Sequence, residues 1–293
     1  MPLLSIIIPV YNSEKTIRRT LDSLLALPVD SRRQIEVVIV DDGSTDSSSS
    51  IIASIKDLLV PAELLYLDQT NQGTSAARNT GLERATGRWI FFLDADDELG
   101  CDPVPHLLQA TDASSIGFSV QYLHEGSSQG IRRPSLITEK NHLSQFTAQN
   151  ALTVSSVIMR KDAIRVPFDP TIKFLEDWLF WIKNPVIFEN MTMNRKMLSA
   201  LIHTHGHGKT ADQARNGEFR TRIAEKLLEE LRTTLTGTQK NNLRIQSVIG
   251  QIQQGHKIPA GSFLRFPCNA VLYLKLLAYA LLRARISTVS KYR

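Results

Sequence analysis

The stretch Phe91-Phe92-Leu93-Asp94-Ala95-Asp96-Asp97 is an apolar run that ends abruptly in three carboxylates within four positions. A strand that delivers carboxylates to the open end of a sheet suits a divalent metal held against phosphate oxygens. Asp94 and Asp96 stand at i and i+2 and share a face if the segment is extended; if the chain turns there, one can bind metal and the other something else. Carboxylates this close need a cation, basic neighbours or water. The same residues also read as a solvated acidic turn after a buried strand, so the flanking sequence must choose.

Upstream, the pattern repeats. Leu3 to Ile8 is a β-branched apolar run that exits through Pro9-Val10-Tyr11-Asn12, and Ile35 to Val40 is another, exiting through Asp41-Asp42-Gly43-Ser44. Both read as buried parallel strands. Glu63 to Leu67 and Arg88 to Leu93 supply a third and a fourth. Between them lie helical stretches, one with Ser13 as N-cap and an apolar face of Ile17, Leu21, Leu24 and Leu25, the other carrying Ile51, Ile52 and Ile55. This alternation defines an α/β layer with a largely parallel sheet, whose ligand site lies beyond the carboxyl ends of the strands. Asn71-Gln72-Gly73-Thr74-Ser75-Ala76-Ala77-Arg78-Asn79-Thr80-Gly81 falls between the third and fourth strands and opens a helix at Thr74 or Ser75. Its small residues allow close approach of a ligand or of backbone. Arg78 suits either a diphosphate or the neutralisation of Asp41 or Asp94. The glycine signatures of dinucleotide and P-loop sites are absent, so phosphates here would be held by metal.

Two cysteines, Cys101 and Cys268, lie far apart and imply reduced thiols rather than a disulfide framework. The N-terminus enters its first strand without a basic leader or cleavage site, and the expected location is the cytoplasm. The net charge of +5 is uneven. Residues 255–293 carry seven Lys and Arg and no Asp or Glu, leaving the first 254 residues at 5 − 7 = −2. No nucleic-acid partner is expected.

The segments Ser5 to Asn12, Val40 to Asp46, Asn71 to Gly81 and Phe92 to Asp97 resemble, in order and spacing, the glycosyltransferase family 2 pattern on a GT-A fold. The resemblance implies a Rossmann-like, mostly parallel central sheet flanked by helices. It also implies an enzyme moving a sugar from a nucleotide diphosphate donor, with a lean towards UDP, to an acceptor hydroxyl with inversion. Carried over by position, Pro9, Val10, Tyr11 and Asn12 would line the base pocket, and Asp42 would bind base or ribose. Asn71, Gly73, Arg78, Asp94 and Ala95 would complete the donor site. Asp96, with Asp94 and His205, would ligate Mn²⁺ or Mg²⁺. Asp41 is expected to bond its own loop.

Beyond Glu98 the pattern weakens. Ala113 to Tyr122 and Val154 to Arg160 read as strands, and Glu125 to Pro134 as a loop. Glu176-Asp177, before an aromatic helical segment, resembles the family's E-D motif, which supplies the base for the acceptor proton. Asp177 is the first choice and Glu176 the second, because adjacent helical residues diverge by about 100°. The pair also reads as acidic residues complementing a helix dipole. Trp178 and Trp181 read as core more readily than as sugar platforms. In His203-Thr204-His205-Gly206-His207, one histidine is expected at the donor, and His205 fits best, although Ala200-Leu201-Ile202 replaces the family's Tyr-Arg pair.

Residues 1–210 are thus expected to form the catalytic domain, with donor residues in 1–100 and acceptor residues in 101–210. A helical appendage over 211–293 includes helices near Asp212 to Leu235 and Asn241 to Gln254. Its basic amphipathic stretch 261–285, broken by Pro267, is short of the ~20 residues of a membrane span. It fits peripheral binding to the inner face of the cytoplasmic membrane, or docking on the domain or on a second subunit in a homo-oligomer. A sugar or lipid-linked acceptor would accompany the first.

Overall fold

The computed structural model describes residues 1–204 and 212–256, and the stretch 261–285 lies outside them. The chain divides into two compact units, Met1–His142 with Ala151–His205, and Leu143–Asn150 with Gly206–Arg293.

The first unit is built on one nine-stranded sheet. Its strands are β1 (Leu4–Val10), β2 (Ile35–Asp41), β3 (Glu63–Asp68), β4 (Trp89–Phe92), β5 (Glu98–Leu99), β6 (Ser115–His124), β7 (Ser127–Arg132), β8 (Val157–Arg160) and β9 (Met191–Thr204). They run in the order β3-β2-β1-β4-β8-β6-β9-β5, with β7 beside β6. β1 to β4, β6 and β9 share one direction, while β5, β7 and β8 oppose it. Every residue of β1, β2 and β4 is buried, which is why they read as unbroken apolar runs rather than alternating ones. With β1 flanked by β2 and β4, the carboxyl ends of three parallel strands lie side by side, the crevice where α/β sheets bind ligands.

Helices cover both faces of this sheet. Helix α1 (Ile17–Leu25) and, after the short α2 (Val29–Arg32), helix α3 (Ser48–Ile55) bury Ile17, Leu21, Leu24, Ile52 and Ile55 in one core with Ile6, Ile8, Val37 and Phe91. Helix α4 (Thr74–Arg84) takes the other side, where Ile7 and Val40 point. The short α5 (Val104–Gln109) and α7 (Glu176–Lys183) complete this unit. Helix α1 begins later than expected, because the carbonyl of Ser13 accepts the N–H groups of Thr16 and Ile17 in a turn ahead of the helix. The expected loop over 125–134 is instead largely the β6–β7 hairpin. Glu125 and Gly126 turn it with φ of 49° and 76°, the doubly left-handed geometry that matches strand twist.

The second unit takes most of α6 (His142–Ala148) together with α8 (Gln213–Glu230) and α9 (Gly237–Gln253). The Asp212 carboxylate caps α8 at the Arg215 N–H, and Thr236 with Gln239 forms a reciprocal capping box on α9. Gly217 and Gly250 lie at the crossing of α8 and α9, where a Cβ on either would stand 2.4 Å from the other's carbonyl oxygen. Gln239 donates to the Ser144 hydroxyl at 3.2 Å, which ties α6 to α9. No helix among the described residues is long and apolar enough to cross a membrane.

Gly81 sets the depth of α4 on the sheet, since a Cβ there would meet Ile7 Cγ2 at 2.4 Å and Val40 Cγ2 at 3.3 Å. Gly81→Val should therefore cost about 1–3 kcal/mol by overpacking, read as a lowered midpoint in thermal or urea unfolding.

Candidate active site

At the carboxyl edge of the sheet the loops after β1 and β2 are laced together. Asn12, at φ 48°, accepts the Thr45 N–H at 2.8 Å and gives its own N–H to the Ser44 hydroxyl at 3.0 Å. Asp46 accepts the Glu14 N–H at 2.9 Å while Glu14 accepts that of Ser47 at 3.1 Å. Pro9 and Val10 are buried in β1, whereas Tyr11 is 51% exposed. Of the four residues expected around a base, Tyr11 and Asn12 face solvent.

Asp41 accepts the Ser44 N–H at 2.8 Å and the Tyr66 hydroxyl at 2.8 Å. Burial, then the bond and charge of Asp41, push the Tyr66 phenol above its usual range. Asp42 is only 2% exposed. Its carboxylate accepts Gln69 Nε2 at 2.7 Å and the backbone N–H groups of Gln72 at 2.9 Å and Gly73 at 2.7 Å. Asp42 therefore shapes the loop that presents Asn71 and Gly73. Gly73 is required there, with φ 95° and with Lys173 Nζ standing 2.7 Å from where a Cβ would be. Lys173 donates to the Gln72 carbonyl at 2.5 Å, placing a cation beside the loop that Asp42 shapes. No sequence signal marked it, because its partner is a backbone atom 101 residues away.

The loop leads into α4, whose polar side grips the segment 168–176. Ser75 donates to the Ile172 carbonyl at 3.2 Å, and Asn79 exchanges two bonds of 2.9 Å with the backbone of Phe168. Arg78, 3% exposed, gives one terminal nitrogen to Glu176 Oε1 at 2.8 Å and the other to Asp94 Oδ1 at 2.7 Å. Its guanidinium lies 5.3 Å from the centre of the Phe168 ring. Burial pulls the Arg78 pKa down, but Asp94 and Glu176 more than offset this and hold it above its ordinary value. Of the expected partners, Asp94 is found and Asp41 is not. Asp177 follows Glu176 at the start of α7, half-buried, and Trp178 and Trp181 are wholly buried core.

Asp94 to Asp97 form a turn closed by the Asp97 N–H to the Asp94 carbonyl at 3.1 Å. Helix α1 pins it, with Thr20 donating to the Ala95 carbonyl at 2.9 Å and Arg19 to that of Asp96 at 2.7 Å. Asp97 is buried and accepts the His203 N–H at 2.9 Å. Burial first, then the charges of Asp94 and Asp96, raise the Asp97 pKa well above the carboxylate range. His203 Nε2 meets Glu98 Oε1 at 2.6 Å, and Glu98 also faces Arg19 at 3.5 Å. His205 lies outside the described residues.

Among the described residues no three metal-ligating side chains gather into a cage. A magnesium-type ion takes one or two carboxylates plus substrate phosphates, so Asp94 and Asp96, half-buried on a pinned turn, fit such an ion. Asp94, Asp96 and Asp97 stand together on one short turn, and a cation there would relieve the repulsion between them.

Comparison with known proteins identifies the family and the fold. Residues 5–165, more than half of the chain, match the model of glycosyl transferase family 2. An uncharacterized glycosyltransferase of Haemophilus influenzae is 34% identical over 186 residues, covering 62% of this chain and 71% of that protein. The minor teichoic acid biosynthesis protein GgaA of Bacillus subtilis is 32% identical over 190 residues, covering 61% of this chain but only 42% of its own length. The crystal structure of S. aureus TarS 1–349 in complex with UDP-GlcNAc superposes with a TM-score of 0.64 at 21% identity, over 90% of this chain and 76% of that one. The fold is GT-A, and the chain belongs to glycosyl transferase family 2. It is a glycosyltransferase with relatives in cell-surface polymer synthesis.

Asp42→Ala would remove the charged acceptor of the Gln72 and Gly73 N–H groups, at about 1–3 kcal/mol for each bond lost. Faster amide exchange at 72–73 and a lowered melting temperature are the expected outcome by hydrogen-exchange mass spectrometry and calorimetry.

Proposed function

We propose that the protein is a metal-dependent inverting glycosyltransferase, using a nucleotide diphosphate sugar, with UDP as the favoured carrier, and an acceptor hydroxyl on a sugar or lipid-linked glycan. The observation that carries this reading is the pinned turn Asp94–Asp97 at the carboxyl edge of the sheet, with exposed Tyr11 at the same edge and the acidic start of α7 joined to it through Arg78. Residues 1–210 would carry the catalysis, with the donor held by 1–100 and the acceptor by 101–210, and 211–293 would be an appendage. The UDP-GlcNAc bound by TarS supports a UDP-linked donor, and the teichoic acid role in the name of GgaA supports a cell-surface polymer as product. The work would take place on the cytoplasmic side of the membrane.

In this reading Tyr11 stacks on the base, and the loop shaped by Asp42 presents Asn71 and Gly73 to the nucleoside. Asp94 and Asp96 hold Mn²⁺ or Mg²⁺, which when bound offsets the charge of the diphosphate leaving group. Asp177 takes the proton of the acceptor hydroxyl as its oxygen bonds to the anomeric carbon from the face opposite the diphosphate, which inverts that centre. Glu176 is the weaker candidate for base because its carboxylate is already committed to a buried guanidinium.

Titration of UDP with MnCl₂ by calorimetry, beside turnover of UDP-sugars, tests these roles. Asp96→Ala should abolish the manganese-dependent part of UDP binding. Asp177→Asn should bind UDP as wild type does and lose turnover by about 10²-fold or more, the scale of a general base. Manganese-dependent UDP binding in Asp96→Ala equal to wild type would refute the metal assignment, and binding without turnover of any donor would mark a silent nucleotide-sugar binder.

A further inference from the structure

We infer that Glu176 is a positioning residue for the donor site, acting through Arg78 on Asp94, and not the base that deprotonates the acceptor. The inference rests on the function proposed above and adds the way in which the donor carboxylate is kept available. A guanidinium beside one carboxylate normally closes on it as a two-pronged fork, taking both oxygens. Arg78 does not. Its two terminal nitrogens are split, one to Glu176 Oε1 at 2.8 Å and one to Asp94 Oδ1 at 2.7 Å. Asp94 is 36% exposed, and its Oδ2 accepts no hydrogen bond among the described residues. Glu176, 14% exposed, thus occupies one arm of the guanidinium and leaves Asp94 one oxygen for an incoming ligand.

The surroundings fix this division. Arg78 stands on α4 with its plane near the Phe168 ring, and Phe168 is itself locked to Asn79 by two bonds. Glu176 follows Leu175, which adopts a left-handed backbone at φ 57°, so the turn aims the first residue of α7 back at α4. With the Glu176 charge removed, the only full negative charge left in contact with Arg78 among the described residues is Asp94, and a fork on both of its oxygens becomes the favoured arrangement. The carboxylate then competes poorly for ribose or metal. The effect falls on donor affinity, whereas loss of a base would fall on turnover.

The test uses the full chain with UDP and MnCl₂ in calorimetry, and UDP-sugar hydrolysis for kinetics. Glu176→Gln should weaken UDP·Mn²⁺ binding about tenfold, equivalent to about 1.4 kcal/mol, and raise the donor KM in parallel while kcat falls by less than about threefold. Glu176→Asp keeps the charge at shorter reach, so its affinity should lie between the two, which also serves if the glutamine variant does not fold. Wild-type affinity in both variants, or unchanged affinity with kcat lost as in Asp177→Asn, would overturn the inference. Failure of the wild type to bind UDP with manganese would instead defeat the proposed function, so the two failures are distinguishable.

Discussion

One buried cation joins the turn after β4 to the start of α7. The guanidinium of Arg78 sits between Asp94, from the turn after β4, and Glu176, from the start of α7, residues 82 positions apart in a chain whose sheet alone does not hold them together. Burying a charge is expensive, and the arrangement is stable because two carboxylates and an aromatic face stand around it. Removing one member of such a buried set costs about 3–5 kcal/mol, with the Asp94 side contributing less because a third of that side chain faces water. The bridge is therefore a structural strut as well as an electrostatic one.

Helix α4 is the element that makes the strut possible. Gly81 and Ala77 let it lie close on β1 and β2, while its polar residues point the other way towards 168–176. Small residues and polar residues thus serve opposite sides of one short helix. At the other side of the turn, Thr20 and Arg19 of α1 hold the carbonyls of Ala95 and Asp96, and Asp97 holds β9. The carboxylates of Asp94 and Asp96 project from backbone that is fixed from three directions, the preorganisation that a site for a charged ligand needs.

Much of this was legible in the sequence where local pattern suffices. The buried parallel strands announce themselves as apolar runs, and carboxylates at their ends point to the crevice. Arg78 was legible as a counter-charge to the acidic loops, but its second partner was not, since Glu176 lies 98 residues away and only tertiary packing brings it near. Lys173 escaped notice for the same reason, its partner being a backbone carbonyl distant in sequence, and His203, read as one of three candidate histidines, could not be matched in advance to its partner Glu98, 105 residues away. The hairpin at Glu125-Gly126 was hidden because Glu is an unusual residue for a left-handed turn position. That α6 groups with the C-terminal helices has no local signal at all, as it depends on which apolar surface is left to cover.

The central claim is that Arg78 couples the Asp94–Asp97 turn to the start of α7. Hydrogen-exchange mass spectrometry of Arg78→Lys against wild type tests it most directly, because a single ammonium cannot reproduce the split fork while the positive charge is kept. The account predicts that peptides covering 92–98 and 168–178 lose protection together, with β1 and β2 unchanged. Loss confined to one of the two segments, or protection equal to wild type in both, would contradict it.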